Sequence, residues 1–417
     1  MSDGAADPGL VHLRNIFDLD HAARDRPSAT FIEDMQARFP TEREFDRMLT
    51  RKQQQRTKPR RTATRLEDFA ACLDNLLRNT IAAPYEVSRL RWMSGGGSKI
   101  QLAFSLRWTD PQSGATTTEM VIRMEPQESL SATSRLREHQ LLDAFAGVLP
   151  VPRVYWVDDE GRYFPEPALI YAFATGVAKP SNQDGKVGGV GSTFRPELRA
   201  KLEPQFIAHL AAIHTLDITG RDFSAFDVPR VGTTDTSLWQ LNRARRIWEE
   251  DRGEELPIME VAANWLERRL PRLDRASVLH GDYRSGNFLF DEPSGRITAW
   301  LDWERGYIGD RHRDLAWITL PQFGTMAEDG RTVLVSGLVP TDRFFAEYQR
   351  VSGLSVDPVR LHYYRVMNAY QLIASTLGTS YRVARLGRSH QDVLLTWIEG
   401  LVYSLADDLR VLLEEKP

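Results

Sequence analysis

Apolar residues recur at helical spacing over Thr64–Thr80, where Leu66, Phe69, Leu73, Leu76 and Leu77 fall on one face. Two strand-like runs follow, Tyr85–Met93 and Ile100–Trp108, separated by the glycine-rich turn Ser94–Ser98. Thr109–Gly114 reads as a polar turn and Thr117–Met124 as a third strand, so the pattern predicts an antiparallel meander of three. A helix is expected over Ser131–Ala146, with Leu136, Leu141, Leu142 and Phe145 apolar, then strands at Pro152–Val157 and Ala168–Ala174. Lys179–Pro196, rich in Gly, Ser and Asn, reads as a mobile loop or lid. From Glu197 the period is helical, with Phe206, Leu210, Ile213 and Leu216 on one face. A short β segment is expected near Val278, and mostly helix after it. The pattern divides the chain into an extension (1–64), a small β-rich lobe with a connector (65–175) and a large α-rich lobe (176–417).

Composition narrows the function classes. With 417 residues, the chain suits two or three domains or one bilobal unit. Lys and Arg number 53 and Asp and Glu 57, a net charge of −4, which gives no general pull toward nucleic acid or an anionic membrane. The single cysteine, Cys72, excludes an intrachain disulfide and a multi-cysteine metal site. The N-terminus shows no basic start followed by an apolar run, and no apolar stretch is long enough for a membrane span, so a cytoplasmic protein is expected. The extension ends in a basic stretch, Arg51 and Lys52 through Arg56, Lys58, Arg60 and Arg61. It reads as a solvated, partly helical or mobile segment; the competing reading is an arm for an acidic partner or for a homodimer contact.

The chemistry concentrates in His280-Gly281-Asp282-Tyr283-Arg284-Ser285-Gly286-Asn287, which has the form H-x-D-x-x-x-x-N. Asp302 follows at the end of the apolar run Ala299-Trp300-Leu301, and Gly309-Asp310-Arg311-His312-Arg313-Asp314 lies beyond it. Phosphoryl transfer needs a carboxylate to take the proton of the attacking hydroxyl and hard oxygen ligands for Mg²⁺. It also needs a cation for the α/β-phosphates and a glycine-rich turn where backbone N–H groups can approach them. Asp282 is the candidate base, and Asn287 and Asp302 are the candidate metal ligands. Gly95, Gly96, Gly97 and Ser98 form the candidate phosphate cradle, against the plainer reading of a hairpin turn. Arg123 is the candidate phosphate cation and Glu138, one helix later, its partner; pairing of Arg123 with Glu125 on the surface is the bland alternative. Lys99 is read either as added charge or as a solvated lysine. His280 and His214 read as structural, Asp310 as a turn residue or helix cap, and Glu304 as a water-mediated metal contact or a partner of Arg305 or Arg311. No Walker A loop can be read in Gly185–Gly191.

HGDYRSGNFLFD followed by LDWERGYIGDRHRDLAW resembles the aminoglycoside phosphotransferase family of the protein-kinase-like group. The likeness is to the branch that includes the kinase-like domains associated with acyl-CoA dehydrogenases, and it covers roughly Ala70 to the C-terminus. It implies an α+β bilobal protein-kinase-like fold, with a small antiparallel β N-lobe and a large, mainly helical C-lobe. It implies ATP and Mg²⁺ as cofactors, a hydroxylated small molecule as acceptor, and Asp314 as support of the catalytic loop. Tyr171 and Phe173 would then lie at the hinge, where backbone groups can meet an adenine edge. Three departures stand out. Gly281 precedes the base where protein kinases carry arginine, Trp303-Glu304 follows Asp302 in place of Phe-Gly, and Arg123 replaces lysine. Arg243, Arg245, Arg246, Arg382, Arg385 and Arg388 lean away from a polycationic acceptor, toward an uncharged or acidic hydroxylated metabolite or a hydroxyacyl-CoA. A nucleotide-binding pseudokinase that regulates a partner remains the alternative; a protein kinase is disfavoured.

Overall fold

The computed structural model describes residues 21–58, 65–93, 99–127, 130–181, 192–387, 399–400 and 402–415. Among the described residues, three helices, α1 (His21–Asp25), α2 (Ala29–Arg38) and α3 (Arg43–Arg56), precede the expected amphipathic helix α4 (Leu66–Thr80). The sheet that follows has five strands: β1 (Glu86–Trp92), β2 (Ile100–Asp110), β3 (Gly114–Met124), β4 (Val154–Asp158) and β5 (Ala168–Ala172). Their spatial order is β1-β2-β3-β5-β4, every neighbour antiparallel. The polar turn expected over Thr109–Gly114 is tighter, because β2 runs on to Asp110 and Gly114 turns with φ 77°. Between β3 and β4 lies α5 (Arg135–Phe145), shorter than the helix expected from Ser131. Ser134 caps it, its hydroxyl accepting the Arg137 N–H at 3.3 Å.

Strand alternation assigns the two faces of this sheet. Leu102, Phe104, Leu106, Met120 and Ile122 point to one side and are buried against Phe69, Leu73, Leu76 and Leu77 of α4. Each such side chain contributes about 1.5–3 kcal/mol through burial. Val121 and Leu169 point to the other side, with Leu141, Leu142 and Phe145 of α5, and share the large core of the second lobe. Arg123 is two residues from Val121, so the same alternation sends it toward the junction of the lobes.

The second lobe carries α6 (Pro196–Thr215), α7 (Asp235–Asp251), α8 (Pro257–Glu267) and two short β pairs. In these, β6 (Ser277–Leu279) pairs with β9 (Tyr307–Gly309), and β7 (Phe288–Asp291) with β8 (Arg296–Trp300). Helix α9 (His312–Ile318) follows. An antiparallel three-stranded sheet over residues 325–340 interrupts the expected helical run, before α10 (Thr341–Ser352) and α11 (Pro358–Ile373). A π-helical stretch, Ala374–Ser380, continues α11 into α12 (Tyr381–Arg385), and α13 (Val402–Glu414) packs against α11 and α8. Among the described residues no helix is long and apolar enough to cross a membrane.

The solvated reading of the extension does not hold for helix α3. Phe45, Met48 and Leu49 of α3 are buried, and so are its polar residues Lys52, Gln53 and Arg56. These polar groups find partners on α7: Lys52 Nζ lies 2.8 Å from Asp251, Gln53 donates to Glu250 at 2.7 Å, and Arg56 also pairs with Asp251. Within the described part of the basic stretch, Lys52 and Arg56 are thus spent inside the chain and Arg51 pairs with Glu166 at 3.0 Å, while Lys58 is exposed.

Candidate active site

The segment between β6 and β7 is held as a rigid loop by one buried carboxylate. Asp314, on α9 and fully buried, accepts the backbone N–H groups of His280 (2.8 Å) and Gly281 (2.9 Å). Burial raises its pKa, but the hydrogen bond and charge of His214, with His280, outweigh that and leave it below the ordinary aspartate value. His280 donates from Nε2 to the Leu301 carbonyl (3.0 Å) and accepts the Asp282 N–H at Nδ1 (3.3 Å). Those two bonds require the neutral Nε2–H tautomer, and burial depresses the pKa of His280 in the same sense. Beneath the loop, Tyr283 stacks on Trp300 at 4.0 Å and donates its hydroxyl proton to the Phe206 carbonyl at 2.6 Å.

Gly281 answers the first departure from the kinase pattern. Its φ is +80°, and a Cβ there would sit 2.4 Å from the Arg305 carbonyl oxygen. A side chain of any kind meets both backbone strain and a collision. Gly281→Ala is therefore expected to lose about 1–3 kcal/mol of stability and to displace Asp282, lowering turnover more than the melting loss accounts for. Matched melting and rate measurements check this, and unchanged turnover contradicts it.

Asp282 is oriented by groups that the sequence did not flag. Its Oδ1 accepts from Trp317 Nε1 (2.8 Å) and Arg284 Nε (3.1 Å). Trp317 lies three residues after Asp314 on α9, so one helix face carries both the loop support and the aspartate's donor. Asn287 donates Nδ2 to the Asp282 carbonyl at 2.7 Å, which turns its amide oxygen away from that bond and leaves it free to act as a ligand. Asp302 has φ 60° and ψ 44°, a left-handed conformation that costs a non-glycine residue energy. The side chains of Asp282, Asn287 and Asp302 all line one cavity of about 470 Å³. Its walls include Gln101, Arg123 and Ala132 from the β lobe and Arg243, Gln371 and Ser375 from the helical lobe.

Arg123 is only 4% exposed, and the surface pair with Glu125 does not form. Its Nη1 contacts Asp302 at 2.5 Å, its Nη2 contacts Glu304 at 2.6 Å, and Nε approaches Glu138 at 3.7 Å. Glu138 is shared with Arg135, a residue the sequence reading passed over. Arg135 also reaches Glu125 (2.9 Å) and Glu304 (3.4 Å). Lys99 is buried, not solvated, and lies 3.1 Å from Glu125 and 3.5 Å from Glu304. Burial would raise the pKa of Glu304, but Lys99, Arg123 and Arg135 hold it well below the usual carboxylate range. Its expected partners Arg305 and Arg311 are thus replaced by these three; Arg311 pairs with Asp274 instead. Asp310, read as a turn residue or cap, accepts the backbone N–H of His312 at the start of α9 (3.0 Å), and it is also buried and bonded to the His312 ring and Arg360.

At the junction of the lobes, Tyr171 is buried in β5, and Phe173 follows that strand's end. The backbone N–H of Ala172 donates to the Arg153 carbonyl and that of Phe173 to the Glu119 carbonyl, each at 2.8 Å. The connector then docks on the second lobe through a Val177–Phe290 bridge. Gly95, Gly96, Gly97 and Ser98 lie outside the described residues, as does most of the expected lid. His214, read as structural, bonds Tyr348 and Asp314, and His209 on the same helix accepts from Trp300.

The oxygen donors suit a hard cation. Asn287 and Asp302 are the oxygen-bearing side chains that could hold such an ion, and a Mg²⁺ site with few protein ligands completes its shell with phosphates and water. Among the described residues no group of three His, Cys, Asp or Glu side chains forms a closed metal cage.

A family model described as the phosphotransferase enzyme family matches residues 102–354. Acyl-CoA dehydrogenase family member 10 of Mus musculus is 26% identical over 213 residues, 49% of this chain and 18% of that protein. Acyl-CoA dehydrogenase family member 11 of Rattus norvegicus is 25% identical over 208 residues, 48% of this chain and 26% of that protein. The chain thus spans about a quarter or less of the length of these relatives. Among solved structures, a Ralstonia eutropha JMP134 protein assigned provisionally to the aminoglycoside phosphotransferases superposes with a TM-score of 0.59 at 19% identity, covering 84% of this chain and 99% of that one. An ethanolamine kinase of Plasmodium vivax gives 0.52 at 14% identity, covering 87% and 94%. The bilobal, protein-kinase-like α+β fold is thereby the fold of this chain.

Proposed function

The chain belongs to the phosphotransferase enzyme family, and on that premise we propose that it moves the γ-phosphoryl group of ATP to a hydroxyl of a small molecule. One observation carries the reading: Asp282 is fixed through Oδ1 by Trp317 and Arg284, while Asn287 is fixed through Nδ2, and both face one cavity with Asp302. The second oxygen of Asp282 would accept the hydroxyl proton as the phosphoryl group moves in line. Asn287 and Asp302 would hold Mg²⁺, whose role in such sites is to bridge the phosphates and neutralise their charge. The turn at Gly95, Gly96, Gly97 and Ser98 would cradle the phosphates, and the backbone beside Tyr171 and Phe173 would meet the adenine. Arg123, steadied by Glu138, would turn to the α/β-phosphates once Asp302 exchanges its guanidinium partner for the metal. The acceptor would be a hydroxylated metabolite or a hydroxyacyl-CoA, and a polycationic aminoglycoside fits the arginine-lined wall poorly.

An ATP-consumption screen over hydroxylated metabolites, CoA thioesters and aminoglycosides tests this, with Asp282→Asn as the blank. Phosphorylation of an acceptor in the first two groups is the expected result. ATP binding without transfer to any of them would favour a pseudokinase that regulates a partner. Asp302→Ala is expected to abolish the Mg²⁺-dependent part of ATP affinity and leave a weaker, metal-independent part, because Arg123 is freed for the phosphates. Titrations with and without the metal separate the two parts, and an unchanged metal dependence would count against Asp302 as a ligand.

A further inference from the structure

Arg243, on α7, is 4% exposed and lines the cavity that holds Asp282. Among the described residues it makes no ion pair and no hydrogen bond, and its Nε is buried without a partner. Its guanidinium carbon lies over the Phe45 ring, 3.6 Å from the centroid. Cation–π stacking contributes about 0.5–2 kcal/mol, well below the several kcal/mol of desolvation that a buried ion incurs. The neighbours deepen the deficit. Arg305, partly buried in the same wall, is also without a carboxylate in contact and stacks on Trp317 at 4.5 Å. Arg313 behind them bonds only neutral groups, Gln240, Asn368, Gln371 and Tyr307. Burial lowers the pKa of Arg243, and the charges of Arg305, Arg313 and Arg137 lower it further. The acidic groups facing Arg305 are Asp282 and Glu304. The first of these is tied to Arg284, the second to Arg123.

An uncompensated cation of this kind costs the fold stability unless a ligand neutralises it. We propose that Arg243, backed by Arg305, receives an anionic group of the acceptor, a carboxylate or a phosphate carried by the same molecule whose hydroxyl faces Asp282. The inference rests on the phosphotransfer reading and narrows it: the acceptor is an acidic alcohol. Phe45 belongs to α3, so the N-terminal helices take part by providing the ring on which the Arg243 guanidinium rests. The guanidinium plane offers two parallel N–H donors, the geometry that carboxylate and phosphate oxygens accept.

The test pairs each anionic acceptor with its neutral counterpart: hydroxybutyrate with its methyl ester, and glycerol phosphate with glycerol. The first pair reads a carboxylate and the second a phosphate. Wild-type enzyme is expected to favour the anionic member of at least one pair. In Arg243→Gln that preference in kcat/KM should fall about ten- to a hundredfold, the worth of one or two charge-assisted hydrogen bonds, through KM more than kcat. Arg243→Lys should restore part of it. The melting temperature of Arg243→Gln should not fall, since the substitution removes an unpaired buried charge. Equal loss for both members of each pair, or weakened ATP affinity as the main effect, would overturn the proposal. A binding arm separates this inference from the reaction itself. Thermal stabilisation of Asp282→Asn by the anionic probes, abolished by adding Arg243→Gln, supports the subsite whether or not turnover is found. Absence of any stabilisation by either anion rejects it even if the enzyme transfers phosphate to a neutral alcohol.

Discussion

Asp282→Asn is expected to lower turnover about a thousandfold or more, the upper part of the range for removing a positioned general base, while nucleotide affinity and melting temperature stay close to wild type. The asparagine oxygen can still accept from Trp317 and Arg284, so the loop keeps its geometry. What disappears is the second carboxylate oxygen and its capacity to take a proton. Side-chain exposure of 16% means that no large desolvation change accompanies the substitution. Rates measured under saturating ATP, with ATP binding measured independently, check the two halves of this statement. Substantial residual turnover would remove Asp282 from the role of base and leave it as a structural carboxylate.

Asp251→Asn is expected to lose about 3–5 kcal/mol of stability, the cost of leaving buried charge without its counter-ion. Asp251 is 2% exposed and is contacted by Lys52 at 2.8 Å, by Arg382 at 3.2 Å, and by Arg56 and Thr379. It joins the N-terminal helix α3 to the π-helical segment that lines the active-site cavity, so its loss loosens both. Burial alone would raise its pKa, but Arg56, Lys52 and Arg382 outweigh burial and hold it well below the ordinary value. A carboxylate with a depressed folded pKa contributes stability that is complete above its unfolded value of about 3.9 and is lost as pH falls through the folded one. The gap between wild type and Asp251→Asn should therefore be full at neutral pH and narrow only in strong acid. Denaturation midpoints across pH measure it, and equal midpoints at neutral pH would show that the three cations are satisfied elsewhere.

Local rules carried most of the element map. The 3.6-residue period in Leu66–Leu77 and the twofold alternation in Leu102–Leu106 depend only on neighbours in sequence, and both elements lie where those periods place them. The three-stranded sheet over residues 325–340 was missed because strands of two or three residues are too short to show a period. The extension misled for a different reason. Hydropathy cannot distinguish a solvated lysine from one paired with a buried carboxylate, and Lys52 finds Asp251 across 199 residues of chain.

The same division runs through the active site. Sequence alone determined the spacing of Asp282, Asn287 and Asp302, because a loop of six residues and the strand beyond it are governed by local geometry. It also placed Arg123 near the end of the third strand, where the resemblance expects a phosphate cation. Only the tertiary structure decided what surrounds these groups: Trp317 and Arg284 on Asp282, Lys99 and Arg135 beside Glu304, and Arg243 over Phe45 without a carboxylate. Coulomb interactions and desolvation act through space over a few ångströms. Which of 53 cationic and 57 anionic side chains meet, and which are left unmatched in a cavity, is therefore set by how the helices pack and not by their order in the chain.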